Sequence, residues 1–142
     1  MTLMKKLSTK RFAHTISAIL ISQMAPASAL ADASVNVLSY TKSQINYTAK
    51  QMANAISNSA PTTVDRFTTL LGAVYVPESM TFIYKYESSV KLDENKMRSY
   101  ITHNTCADKI RKSYMIRGLT FKHIYITPAG QRETTVRQQD CQ

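Results

Sequence analysis

From Cys106 to Cys141 the chain reads CADKIRKSYMIRGLTFKHIYITPAGQRETTVRQQDC, a stretch holding both of its cysteines. Asp108 to Met115 has helical spacing, with Ile110 and Tyr114 directed to a core. Gly118 is placed to end that helix in a left-handed conformation, which a residue without a Cβ adopts at no steric cost. Leu119 to Thr127 then alternates as a strand, Phe121, His123 and Tyr125 on one face and Lys122, Ile124 and Ile126 on the other. Pro128-Ala129-Gly130 supplies a turn, and Gln131 to Gln138 reads as a last, mostly polar strand at an edge or half exposed.

Upstream, Asp93 caps a helix that carries Met97, Tyr100 and Ile101 inward and Lys96 and Arg98 toward water. Asn104-Thr105-Cys106 loosens its end. Before it lies a hairpin. Asp65 to Val76 is an apolar run with little alternation, the mark of a central strand covered on both faces. Pro77-Glu78-Ser79 turns the chain, and Met80 to Ser88 alternates, with Met80, Phe82, Tyr84 and Tyr86 on one face. The connection of three residues makes the pair antiparallel. Asn58 to Thr63 is rich in turn formers and ends at Pro61 the helix that precedes it. That helix, Asp32 to about Asn58, carries Leu38, Thr41, Ile45, Ala49, Met52, Ala53 and Ile56 on one stripe. The sequon Asn46-Tyr47-Thr48 falls inside it and is read as accidental.

The order helix-β-β-helix-β-β predicts a single small α+β domain, an antiparallel four-stranded sheet with helices packed on it. A signal peptide is expected at 1–31, with the folded domain at 32–142. Lys5, Lys6, Lys10 and Arg11 precede the apolar run Ile16 to Ile21, and Ala29-Leu30-Ala31 places cleavage between Ala31 and Asp32. The apolar run is well short of the ~20 residues a membrane span needs. The first cysteine is Cys106, so no lipid acceptor follows the cleavage site, and no stable membrane insertion is expected after signal removal. Cleavage removes four of the 18 basic residues and no acidic one, lowering the net charge from +9 to +5, 14 basic residues against nine acidic.

Export places the two thiols in an oxidising compartment, periplasmic or extracellular, where Cys106 and Cys141 are expected to pair. Closing that loop adds roughly 4 kcal/mol in the chain-entropy account. Two cysteines with His103 and His123 do not make a metal site. The sequence contains no Gly-rich phosphate loop, HExxH motif, nucleophile elbow or paired-carboxylate signature. His123, in mid-strand, reads as a satisfied or surface histidine. Lys109, Arg111, Lys112 and Arg117 with Tyr114 read as a solvated helix face, since export argues against nucleic acid as a partner. Tyr84, Tyr86, Tyr100, Tyr114 and Tyr125 serve half-buried core positions or a protein-binding surface. The residues thus point to no catalytic centre, cofactor or metal, and they leave any partner-binding surface unassigned.

Phe82-Ile83-Tyr84-Lys85-Tyr86, then Asn104-Thr105-Cys106, then Gly118 to Tyr125, Gly130 and Cys141 form a pattern over about the last 65 residues. It resembles small exported bacterial α/β proteins that include the S-protein pilotins of type II secretion systems and the quorum-regulated secreted Pseudomonas proteins. The resemblance implies a non-catalytic protein that docks a helical segment of a secretion-system or envelope protein in a groove between its helices and sheet. Pilotins are usually lipoproteins, and the missing lipidation cysteine implies instead a free periplasmic or secreted relative that binds some other segment. The alternative is a secreted effector, inhibitor or virulence-associated factor acting outside the cell.

Overall fold

In a computed structural model, residues 37–142 are described. The expected cleavage site, Ala31 and Asp32, lies outside them. Helix α1 spans Lys42–Ser59 and starts at a capping box. The Thr41 hydroxyl accepts from the Gln44 N–H at 3.2 Å, and the Gln44 amide oxygen accepts from the Thr41 N–H at 2.7 Å. The helix predicted from Asp32 is therefore interrupted: Val37 to Ser39 is helical, Tyr40 breaks it, and Thr41 is a cap and not part of the stripe. Ile45, Ala49 and Ala53 form the buried stripe.

After α1 come β1 (Thr62–Thr63), β2 (Thr68–Val76), β3 (Thr81–Ser88), α2 (Glu94–Ala107), α3 (Lys109–Ile116), β4 (Thr120–Thr127), β5 (Gly130–Val136) and a 3-10 turn at Gln138–Cys141. The strands form one five-stranded sheet in the order β1-β2-β3-β4-β5. Two expectations are corrected here. A short fifth strand, β1, pairs Thr62 and Thr63 with Leu70 and Thr69, and the sheet is mixed, because β3 and β4 run parallel. The helix lengths give the reason. α2 has 14 residues and carries the chain about 21 Å back along the sheet, whereas the eight residues of α3 rise only about 12 Å. α3 is too short for a second return, so β4 starts level with β3, Thr120 opposite Thr81.

Asp108 joins the two helices and serves both. It is the last cap of α2, and its Oδ1 accepts from the N–H groups of Ile110 and Arg111 at 2.9 and 3.0 Å to start α3. Beyond α3, Gly118 takes φ +92° and donates its N–H to the Met115 carbonyl, turning the chain into β4.

The core lies on one face of the sheet. Ala73, Tyr75, Phe82, Tyr84, Phe121, His123, Thr134 and Val136 are buried there. α1 packs on β2, α2 on β5, and α3 joins α2. The Tyr75 hydroxyl donates to Asn46 Oδ1 at 2.6 Å, so the asparagine of the sequon is held against the core. The opposite face has no helix over it among the described residues: Leu71 is 37%, Val74 60% and Ile126 38% exposed. β2 is thus covered on one face, not two. Its missing alternation comes from a bulge between Leu70 and Gly72, which reverses the phase so that Leu70 and Ala73 both point inward. At the bulge α1 meets the strand edge. The Ser57 hydroxyl donates to the Ala73 carbonyl at 2.7 Å and accepts from the Ala73 N–H at 3.0 Å, and Gly72 leaves room for it: a Cβ there would sit 3.2 Å from Ser57 Oγ.

Candidate docking groove

Strand register brings six rings together on the inner face. Phe82 lies opposite Phe121, Tyr84 opposite His123 and Tyr86 opposite Tyr125. Because the pairing is parallel, each pair sits one step further along the sheet. The centroids of Tyr84 and His123 are 5.0 Å apart, and those of Tyr86 and Tyr125 are 4.5 Å apart with the rings within 13° of parallel. The helices cover this ladder unequally. At the Phe82 end α3 bridges the flanking helices, and the Tyr114 hydroxyl donates to Thr48 of α1 at 3.0 Å. At the other end Tyr86 and Tyr125 are only half-buried.

A cavity of about 340 Å³ opens there. Tyr125, Leu92, Met97, Tyr100, Ile101 and Val64 give it an apolar lining, and Asp65, Lys91, Asp93 and Lys96 stand with them. Tyr100 is 69% and Val64 55% exposed, large apolar surfaces open to solvent. Burial, then the neighbouring Tyr100 and Asp65, pushes the Tyr125 hydroxyl up to about 12. Burial likewise raises Tyr86, with Tyr125 and Tyr84 adding to it and Arg111 opposing it. Both phenols are therefore neutral hydrogen-bond donors. Of the two, Tyr125 contributes directly to the cavity, beside mainly apolar walls.

The five tyrosines named from sequence divide cleanly. Tyr84 and Tyr114 are core, Tyr86 and Tyr125 are half-buried with Tyr125 lining the cavity, and Tyr100 lies on its lip. His123 is neither satisfied nor on the surface. It is 4% exposed and neither ring nitrogen has a hydrogen-bond partner among the described residues. Burial, and secondarily the Arg111 charge, lowers its pKa from 6.5 to about 3, so the ring is neutral. His103 is exposed. The basic residues of α3 do not form one solvated face either. Lys109 and Lys112 are exposed, the Arg117 guanidinium donates to the Tyr40 carbonyl, and Arg111 folds inward with its guanidinium carbon 5.4 Å from the Tyr84 ring centroid.

Cys106 and Cys141 are joined, with their Cα atoms 5.2 Å apart. The bond fastens the end of α2 to the turn after β5, and neither cysteine lines the groove. Among the described residues no group of three or more His, Cys, Asp or Glu side chains is placed to hold a metal ion, and no helix is long and apolar enough to cross a membrane. The sequence left the docking surface unassigned. Alternation put Tyr84 and Tyr86 on one face of β3, and Phe121, His123 and Tyr125 on one face of β4. Only the parallel register, which local patterning does not encode, brings the two sets together.

No protein-family model matches the chain, and no curated protein sequence matches it. Three solved structures share its fold. A pilotin of the type 2 secretion system of Vibrio vulnificus, EpsS, superposes with TM-score 0.62 at 14% identity, covering 71% of this chain and 94% of its own. A candidate secreted protein from Pseudomonas aeruginosa gives TM-score 0.61 at 10% identity, covering 71% and 96%. The type II secretion system pilotin AspS from Vibrio cholerae gives 0.55 at 18% identity, covering 80% and 99%. At these identities the likeness concerns the fold.

Proposed function

We propose that this chain is a non-catalytic binding protein, exported to the periplasm or beyond after loss of residues 1–31. In this reading it docks an amphipathic helical segment of an envelope or secretion-system protein. The observation that carries it is the groove end of the aromatic ladder, where Tyr86 and Tyr125 lie half-buried beside a cavity of about 340 Å³ instead of beneath a helix of the chain itself. Ridges of an incoming helix can settle between α2 and the segment before β2, with apolar residues at i, i+3, i+4 and i+7 meeting Tyr125, Met97 and Leu92. The fold shared with two secretion-system pilotins supports the same reading. The polar rim restricts the partner to a segment with one polar side, as at protein interfaces generally.

The test is photo-crosslinking in the source cell, with a benzophenone amino acid replacing Tyr100 on the groove lip or Val74 on the open sheet face. An adduct with one envelope or secretion-system protein from position 100 and none from position 74 is the expected result. Adducts from position 74 alone, or none from position 100 with the protein correctly exported and oxidised, would remove the groove from consideration.

A further inference from the structure

The two borders of the sheet are finished differently. At β2, the short β1 pairs with Leu70 and Thr69, and the Ser57 hydroxyl serves both backbone groups of Ala73. The other border is β5, and its phase follows from β4. The Thr120 N–H donates to the Met80 carbonyl at 2.9 Å, so Thr120 and every second residue after it address β3, while Phe121, His123, Tyr125 and Thr127 address β5. Their partners Val136, Thr134, Arg132 and Gly130 turn back toward β4, which leaves Gln131, Glu133 and Thr135 with N–H and C=O groups directed away from the sheet. Of those groups only the Gln131 carbonyl has a hydrogen bond among the described residues, from the Arg132 guanidinium at 3.0 Å.

A trough runs beside that border. Glu133, Thr134 and Thr135 line a cavity of about 530 Å³ with Arg98 and Thr102 of α2 and Asp140 of the last turn. Successive strand side chains point to opposite faces, so a cavity touched by three in a row lies along the edge of the strand. Its charged groups are already engaged: Glu133 holds Lys122, Asp140 accepts from the Arg137 N–H at 2.7 Å, and Arg98 faces Glu94 at 3.6 Å. Thr134 is not. It is 4% exposed and its hydroxyl has no hydrogen-bond partner among the described residues, whereas buried hydroxyls are normally paired. The unmet capacity of the trough is therefore a row of backbone donors and acceptors with one neutral hydroxyl between them.

We propose that β5 is a strand-addition site whose occupant is an extended, uncharged segment of another protein, laid antiparallel along Glu133 to Thr135 and carrying a serine or threonine opposite Thr134. Antiparallel addition is the more stable ladder, and it gives Glu133 and Thr135 two backbone hydrogen bonds each. Thr134 then falls at a non-hydrogen-bonded pair, where facing side chains come closest and two hydroxyls can bond across the strands. A second copy paired about the same residues would bring its own α2 to the same side of the joined sheet, Arg98 toward Arg98, so the trough fits a bare strand better than another β5. The site shares no lining residue with the groove, and its partner is independent of a docked helix.

The experiment uses the full chain, exported and purified oxidised, with fluorescein-labelled nine-residue peptides in which serine alternates with valine and glutamine. Anisotropy titration is expected to show binding that N-methylation of the residues between the serines lowers about tenfold or more. N-methylation of the serines should leave it within about twofold, because only the residues between them turn their N–H groups to β5. Alanine in place of the serines should cost about fivefold against the unaltered chain and nothing against Thr134→Val. Thr135→Pro, which removes an outward N–H from an edge where proline is tolerated, should lower binding about tenfold with the urea midpoint kept. If Thr135→Pro does not fold, the two methylation patterns on the unaltered chain decide alone. Equal tolerance of both patterns, undiminished binding to a folded Thr135→Pro, or binding of no peptide would overturn the proposal. Sedimentation of the unaltered chain as a dimer that Thr135→Pro dissolves would give the edge to a second copy and overturn the proposed occupant.

Discussion

The two faces of the sheet are built from the same strands and have opposite surroundings. On the inner face of β3 and β4, Phe82 and Phe121 are fully buried, and His123 is enclosed without a hydrogen bond. One residue along, Lys85, Lys122 and Ile126 face water, and Lys122 pairs with Glu133 at 2.6 Å. A side chain's role here depends on the parity of its position more than on its chemical type. Val74 and Phe82 are both apolar strand residues, yet one is 60% exposed and the other 0%. The Arg111 guanidinium comes to the inner face from a helix and lies over the Tyr84 ring.

The largest expected effect that would sharpen this contrast is acid titration of the inner face. The folded-state pKa of His123 is depressed to about 3 against 6.5 when unfolded. Below 6.5 the unfolded chain therefore holds more protons, and stability falls as pH drops through the window from 6.5 to 3. The full loss from this one ring is roughly 5 kcal/mol, at up to 1.4 kcal/mol per pH unit. Urea unfolding at successive pH values should show that slope, and His123→Phe should flatten it. A slope unchanged by the substitution would mean that water reaches the ring.

Next comes the tie between the layers. Replacing Cys106 and Cys141 together by Ser should lower stability by about 4 kcal/mol, read as a fall in urea midpoint, while leaving the open face of the sheet as it is. Phe121→Ala, which hollows the inner face where no solvent reaches, should cost about 3–5 kcal/mol. Breaking Lys122–Glu133 on the open face with Glu133→Gln should cost no more than about 1 kcal/mol, because both partners are partly exposed. Val74→Thr should change stability by less than about 0.5 kcal/mol. A cost from Val74→Thr as large as that from Phe121→Ala would erase the distinction between the faces.

Much of this contrast was readable in the chain. The alternation of Met80 to Ser88 and of Leu119 to Thr127 assigns Tyr84, Tyr86, His123 and Tyr125 to faces, and Asp93 and Gly118 mark helix ends because each solves a local backbone problem. Three things were not readable, each for its own reason. The parallel pairing of β3 with β4 depends on the difference in length between α2 and α3, and a boundary error of a few residues hides it. The one-sided burial of β2 was masked by the bulge before Gly72, which makes an alternating strand look uniformly apolar. Arg111 resembled Lys109 and Lys112 in sequence because nothing local shows that one long side chain of the three bends over a ring. The groove followed the same limit: its residues come from α2, β4 and the segment between β1 and β2, and proximity of that kind is a property of the assembled sheet.

The hydroxyl of Ser57 has a consequence for how molecules of this protein meet one another. A sheet whose outer strand shows free N–H and C=O groups is an open template on which another chain can crystallise, and repeated addition ends in a fibre. On β2 the short β1 occupies one end of that template, and Ser57 fills the next rung by satisfying both backbone groups of Ala73 with one oxygen. With those rungs occupied, less of the β2 border is open to strand addition. Ser57→Ala would reopen the rung without disturbing the core, turning a border that terminates the sheet into one that invites continuation.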